Sequence, residues 1–260
     1  RTLTKLSISG VPAADVARCL EQVGSQLQEL SWYVVVDETS WPAALALCPN
    51  VRTLTLRGVP PMDDKEDVFI EALCAMRRLE SLSMSSQHPG TMDGTVLARV
   101  VNGARLLRLV GWNDYAVSDL HGWPDLISDE AKRRLQLLET PEGEPGTQAW
   151  ELGFTGLEGL SSMAVDDLPS VPTPATSALK RAAIAVVDDR AFASPDVMRT
   201  SMPNLHTLSL ELFESSAACL NDTTVLIPTD LEKLRIGRLD LQETTLDLSP
   251  FLHRVLPTTP

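Results

Sequence analysis

Leu47-Cys48-Pro49-Asn50-Val51-Arg52-Thr53-Leu54-Thr55-Leu56 and, far downstream, Met202-Pro203-Asn204-Leu205-His206-Thr207-Leu208-Ser209-Leu210 share one pattern. A Pro-Asn turn signal leads into an apolar-x-x-apolar-x-apolar block. Working outward, clean copies are Leu3-x-x-Leu6-x-Ile8, Leu27-x-x-Leu30-x-Trp32, Leu79-x-x-Leu82-x-Met84 and Leu231-x-x-Leu234-x-Ile236. Weaker copies are Ala104-x-x-Leu107-x-Leu109, Leu160-x-x-Met163-x-Val165 and Leu179-x-x-Ala182-x-Ile184. Clean neighbours are separated by 24 (3 to 27), 24 (27 to 51), 28 (51 to 79) and 26 (205 to 231) residues. A near-constant period in that range marks a stacked solenoid rather than a globular enzyme.

Block positions 1, 4 and 6 cannot share one face of a flat strand. They do so if the chain turns inward first and then runs extended for three or four residues. Between blocks the period changes to helical. Pro12 to Gly24 sets Val16, Cys19, Leu20 and Val23 on one helical face, with Pro12 where a helix starts and Gly24 where one ends. Asp63 to Met76 opens with acids, which suit a helix N-terminus, and predicts Val68, Phe69, Leu73 and Met76 inward. Val96, Leu97, Val100 and Val101 repeat the stripe before Asn102-Gly103, a helix-stop signal. Parallel strands joined by helices on one side follow.

This block and period resemble the leucine-rich-repeat superfamily over roughly residues 1 to 240. The resemblance implies an α/β solenoid: a leucine-rich-repeat horseshoe of about nine to ten repeats, with a parallel concave sheet and convex helices. Position 9, usually Asn or Cys in the family, is Val11, Val35, Val59, Gln87, Trp112, Leu168, Val187, Phe213 and Leu239 here. Without an asparagine ladder the chain is more similar to the irregular intracellular type. The two Pro-Asn segments resemble the substrate-recognition half of fungal F-box/LRR proteins. That resemblance implies a substrate adaptor of a ubiquitin ligase complex, although the F-box itself is not in this sequence.

The expected organisation is one domain over residues 1–260, with an irregular insertion at about 113–178 and a C-terminal cap or truncated repeat at 241–260. Within the insertion, Ser128 to Leu138 reads as a helix exposing Lys132, Arg133 and Arg134. Ala149-x-x-Leu152-x-Phe154 competes with Leu160-x-x-Met163-x-Val165 for the next strand. The chain starts at Arg1 directly before a repeat and stops after a short helical pattern. It therefore reads as cut from, or capped within, a longer polypeptide, with a flanking domain missing.

An apolar content of 43% suits a packed protein, and 5% aromatics suit a core of aliphatic layers. No apolar run reaches the ~18 residues of a membrane span. Net charge is −13, and no basic run marks a nucleic-acid or anionic-membrane surface. Cys19, Cys48, Cys74 and Cys219 lack C-x-x-C spacing and read as buried gap-fillers. With one sequon, Asn221-Asp222-Thr223, the chain reads as intracellular, cytoplasmic or nuclear.

Chemistry-bearing motifs are scarce. His88, His121, His206 and His253 fall in different repeats, and Gly153-x-x-Gly156-x-x-Gly159 lacks a phosphate-loop lysine. Neither an active site, a metal nor a cofactor is expected. Binding is expected on the concave face, at Tyr33, Arg57, Arg105, Arg108, Glu211, Arg235 and Arg238, because Tyr and Arg are enriched at hot spots. Arg57, Arg105 and Arg108 together would receive an acidic peptide. Acids following the strands, Asp37, Asp63, Asp64, Asp166, Asp167, Asp188 and Asp189, would stack into an acidic rim facing a basic partner, or serve as ordinary solvated turns. The leading expectation is a non-catalytic protein–protein interaction module. The alternatives are a scaffold subunit using the acidic rim, an enzyme with a site in the insertion, and an extracellular recognition domain.

Overall fold

A computed structural model of the chain describes residues 2–34, 40–60, 65–85, 92–110, 117–118, 123–139, 153–164, 172–186, 200–212 and 231–238. They fall into two compact units, Arg1–Pro145 and Gly146–Pro260.

The first unit runs β1 (Lys5–Ile8), α1 (Ala13–Val23), β2 (Glu29–Tyr33), α2 (Trp41–Leu45), β3 (Thr53–Arg57), α3 (Glu66–Ala75) and β4 (Ser81–Ser85). It continues through β5 (Met92–Asp93), α4 (Gly94–Gly103), β6 (Arg108–Val110), β7 (Val117–Ser118), α5 (Asp129–Arg134) and β8 (Leu137–Glu139). Its sheet has the order β1-β2-β3-β4-β6-β8, all parallel, and β5 pairs separately with β7. The second unit holds β9 (Gly159–Ala164), α6 (Pro174–Ala178), β10 (Arg181–Val186), β11 (Thr207–Leu212) and β12 (Lys233–Arg238), again parallel and in sequence order.

Within each unit the leucine row of the blocks runs in phase, with one register shift further along the β9–β10 pair. Leu6, Leu30, Leu54, Leu82, Leu109 and Leu138 stand opposite one another along the first sheet. Leu160, Ala182, Leu208 and Leu234 form the matching row in the second. A backbone junction repeats alongside. The carbonyl of each block's second residue accepts the N–H groups of the second and third residues of the next block. Thr4, Gln28, Arg52, Glu80, Leu107, Glu158, Lys180 and His206 all do this, at 2.7 to 3.1 Å. The junction serves as the register pin of an α/β solenoid of leucine-rich-repeat type.

Helices cover the apolar face. On α1 the buried stripe is Ala13, Val16 and Leu20, with the expected Val23 only half-buried; on α4 it is Val96, Leu97, Val100 and Val101, as their spacing predicts. Trp32, Trp41 and Phe69 form an aromatic chain with centroids 6.4 and 5.5 Å apart, each at most 1% exposed. Such pairs add ~0.5–1.5 kcal/mol beyond the area they bury. Gly24 ends α1 with right-handed φ, so its left-handed freedom is unused. Its lack of a Cβ is what matters, because a methyl there would overlap the Leu47 carbonyl oxygen of the next coil. In the second unit α6 starts at a capping box, Thr173 with Thr176, with Pro174 in its first turn.

Several sequence expectations are corrected. The block expected at Ala104 is Leu106-x-x-Leu109, since Leu109 and not Leu107 faces Leu82. The block expected at Leu160 is Leu157-x-x-Leu160, with a bulge before Met163. The helix expected through Leu138 stops at Arg134. Leu135-x-x-Leu138 is then a further repeat, pulled into extended form by pairing with β6. Within α5 only Arg133 is exposed of the three basic residues. Lys132 is 9% exposed and Arg134 is drawn inward. Val68 points outward, 44% exposed, because α3 turns Phe69, Ile70, Ala72 and Leu73 to the core. Cys19 flanks the α1 stripe and is exposed, whereas Cys48 is buried as expected and Cys74 is intermediate. Leu3, beside the outer strand β1, is 44% exposed.

Candidate functional site

A strand covered by helices on one side leaves alternate residues on the other. Here that face is polar and arranged in rows. Block position 5 gives Ser7, Ser31, Thr55 and Ser83 across β1 to β4. Position 7 places Tyr33 opposite Arg57, and Arg57 opposite Ser85. Tyr33 is 36% exposed and its ring lies over Gly58, where φ is +65° and an added Cβ would meet the ring at 3.0 Å. Glycine at 58 thus serves both the left-handed turn and the seat of the tyrosine. A shallow groove of about 320 Å³ runs along the start of this face, between Lys5, Glu29, Ser31, Thr53 and Thr55.

Cross-strand ion pairs link neighbouring coils. Lys5 meets Glu29 at 2.7 Å and Arg52 meets Glu80 at 3.7 Å in the first unit. In the second unit Lys180 meets Glu158 at 3.2 Å, and His206 Nδ1 lies 4.0 Å from Glu232. Glu158, Lys180, Asn204 and His206 line a groove of about 480 Å³ there. These side chains are between 44% and 79% exposed, so each pair contributes at most ~1 kcal/mol, the His206 one only when its imidazole is protonated, and the pairs mainly set the charge pattern a partner meets.

Just before the strands, three side chains occupy one slot and clasp the preceding coil. Asn50 Nδ2 donates to the Ser25 carbonyl and Asn204 Nδ2 to the Ser177 carbonyl, both at 2.8 Å. Arg134 fills the equivalent slot, donating to the carbonyls of Ala104 and Val101 at 2.9 Å and of Leu106 at 3.3 Å. The asparagine of the Pro-Asn signal is therefore a tie between coils as well as a turn residue.

Of the expected binding residues, Tyr33 and Arg57 are neighbours. Arg108 stands at block position 3 of β6 and faces Ser81, so it shares no row with Arg57. The two are two strands and four residues apart, roughly 16 Å by strand spacing and rise. Arg105 precedes β6 and is exposed. The expected Arg57–Arg105–Arg108 patch is thus not one cluster. Arg235 is exposed on β12, opposite Ser209. Glu211 and Arg238 lie on β11 and β12 opposite Gly237 and Leu212. Asp37, Asp63, Asp64, Asp166, Asp167, Asp188 and Asp189 lie outside the described residues. Sequence reading passed over Glu158 and Lys180, and over Arg77 and Arg78 before β4, because isolated charges 25 residues apart carry no local motif.

The thiols are poorly suited to nucleophilic work. Burial pushes Cys48 up to about 11, with Cys19 adding a like charge, and burial raises Cys74 against a lowering influence from Arg99. Among the described residues no three metal-ligating groups converge, and no helix is long and apolar enough to cross a membrane.

In each unit these features define an α/β repeat fold of leucine-rich-repeat type with an open polar sheet face. No family model and no curated protein matches the chain. Among solved structures it is similar to the leucine-rich repeat-containing protein LegL7 from Legionella pneumophila. Identity is 9%, the TM-score is 0.49, and the match covers 99% of this chain and 92% of that one. It is also similar to a Bacteroides fragilis protein, with 14% identity, a TM-score of 0.49 and coverage of 93% and 67%. A third match is to a chain from the complex of Rad7 and Elc1 in yeast, at 13% identity, a TM-score of 0.31 and coverage of 82% and 77%.

Proposed function

We propose that this chain is a non-catalytic protein-binding module that grips its partner on the open sheet face, and that it serves as the substrate-recognition part of an F-box-like ubiquitin-ligase adaptor in the cytoplasm or nucleus. The observation that carries the reading is the Tyr33–Arg57 pair, exposed on adjacent strands beside the Ser31, Thr55 and Ser83 hydroxyls. A large amphipathic ring and a guanidinium next to small hydroxyls make the composition of a binding hot spot. Truncating such anchors costs about 2 kcal/mol or more. The adaptor assignment rests on fold-level analogy and on the Pro-Asn segments.

The test is quantitative capture from lysate by wild-type chain and by the Tyr33→Ala/Arg57→Ala variant, with circular dichroism to verify folding. Recovery of the principal partner should fall at least about tenfold, the equivalent of 1.4 kcal/mol. Equal recovery removes the sheet face as the binding surface. Captures made with the full-length gene product should contain ubiquitin-ligase subunits, and their consistent absence removes the adaptor role.

A further inference from the structure

We infer that the leading edge of the first unit's sheet, where the chain runs into β3, β4, β6 and β8, docks an acidic segment of a partner protein on arginines drawn from four successive coils. This rests on the reading of the chain as a protein-binding module, and it centres on the edge ahead of the strands, with Arg108 alone on the same sheet face as Tyr33 and Arg57.

The register places these residues together. The Arg52 carbonyl accepts from Glu80 and Ser81, the Glu80 carbonyl from Leu107 and Arg108, and the Leu107 carbonyl from Gln136 and Leu137. The residues just ahead of those junctions therefore stack in register. Arg78 and Arg105 directly precede their blocks in adjacent coils, and Arg77 and Arg133 stand one residue earlier in theirs, all exposed. Arg108 is exposed too, but is itself a junction donor at block position 3. Arg52 stands at block position 2, in register with Glu80, which holds it at 3.7 Å. Arg77, Arg78, Arg105, Arg108 and Arg133 have no carboxylate partner among the described residues. Arg134 is already engaged with backbone carbonyls.

In linear sequence these arginines form no basic run, which is why the chain reads as lacking one. The solenoid brings them onto one edge, with strands about 4.8 Å apart, so four coils span about 15 Å. That is the length of four or five extended residues. Guanidinium forks match carboxylates bidentately. The chain's net charge is −13, and the exposed Glu80 and Glu130 stand beside the patch, each already paired with Arg52 or Arg134. A short acidic segment can sit within the patch, whereas a long polyanion would run onto acidic surface within a Debye length of about 8 Å.

Fluorescence anisotropy with a fluorescein-labelled peptide of six consecutive glutamates tests this on the whole chain. Wild type should bind at about 50 mM salt, with affinity falling linearly in log–log form as salt rises. Arg78→Glu/Arg105→Glu should weaken binding at least about tenfold, while Arg78→Lys/Arg105→Lys, which keeps the charge and loses the fork, weakens it by less than the reversal, and Tyr33→Ala/Arg57→Ala stays within about twofold. Three results would overturn the docking edge: no peptide binding by wild type, equal binding after charge reversal, or tighter binding of a single-stranded DNA dodecamer. If charge reversal leaves peptide binding unchanged while Tyr33→Ala/Arg57→Ala abolishes lysate capture, the edge fails and the sheet-face reading stands. If charge reversal abolishes peptide binding and Tyr33→Ala/Arg57→Ala captures normally, the edge stands and the sheet-face reading fails.

Discussion

Arg1–Pro145 and Gly146–Pro260 repeat the same junction of one carbonyl with two amides, yet they fill their interiors differently. The first unit buries Trp32 of β2, Trp41 of the five-residue α2 and Phe69 of the ten-residue α3 as one aromatic cluster. In the second, Ala175, Thr176 and Ala182 are buried around α6, a helix of five residues. The second unit still buries Phe154, Met202 and its leucine row, so the contrast lies in the aromatic cluster and not in apolar filling as such. Strand register is fixed in both units by the backbone junction and the aliphatic row.

Core truncation gives the largest expected contrast. Trp41→Ala should lose about 3–5 kcal/mol of stability by urea unfolding, because the void between Trp32 and Phe69 cannot collapse. Ala182→Gly in the second unit should lose only about 1 kcal/mol. Equal losses would show that the aromatic cluster carries no more of the packing than the small residues around α6.

The clasps come next. Arg134→Ala leaves the carbonyls of Val101, Ala104 and Leu106 without their donor in a partly buried site, an expected loss of about 2–3 kcal/mol. Asn204→Ala removes a single exposed bond to Ser177 and should lose about 1 kcal/mol or less. If chemical denaturation puts both at the same value, the number of carbonyls held has no bearing on how tightly coils are tied.

The smallest effect is on pH dependence and belongs to the first unit. Cys48 has a folded-state value raised from 9.0 to about 11 by burial, with Cys19 contributing. The native thiol keeps its proton where the unfolded thiol has lost it. This contribution to stability is complete below about pH 9 and is lost as pH rises toward 11. Urea midpoints at about pH 8 and about pH 10.5 should fall more steeply for wild type than for Cys48→Ala. Parallel falls in both proteins would assign the pH sensitivity to other groups.

Much of this architecture is legible in the sequence, because the blocks at 27, 51, 79, 179 and 205 bury the residues their spacing selects. The failures have one cause. A strand read two residues out of frame still presents the same face to the core. Leu106-Leu107-Arg108-Leu109 satisfies two frames, and only pairing with Leu82 decides between them. At Leu157–Met163 a bulge adds a third residue to that slip. Leu135–Leu138 was hidden because its leucines, following a capped helix start at Ser128, also fit a helical stripe. For the binding surface, residue type singled out Tyr33 and Arg57, but grouping Arg57 with Arg108 depended on the frame that slipped. The grouping of Arg105 with Arg77, Arg78 and Arg133 was invisible for a related reason. Their proximity is a property of stacking, and a sequence window shorter than one coil never holds two neighbouring coils at once.

The junction of one carbonyl with two amides also bears on how such a chain changes length. Each coil offers its successor the same lone acceptor and receives its predecessor with the same two donors, whatever side chains it carries. The joint is generic, like a thread of uniform pitch. A gene that duplicates or discards an entire turn need invent no new seam, whereas one that gains or loses part of a turn must rebuild two.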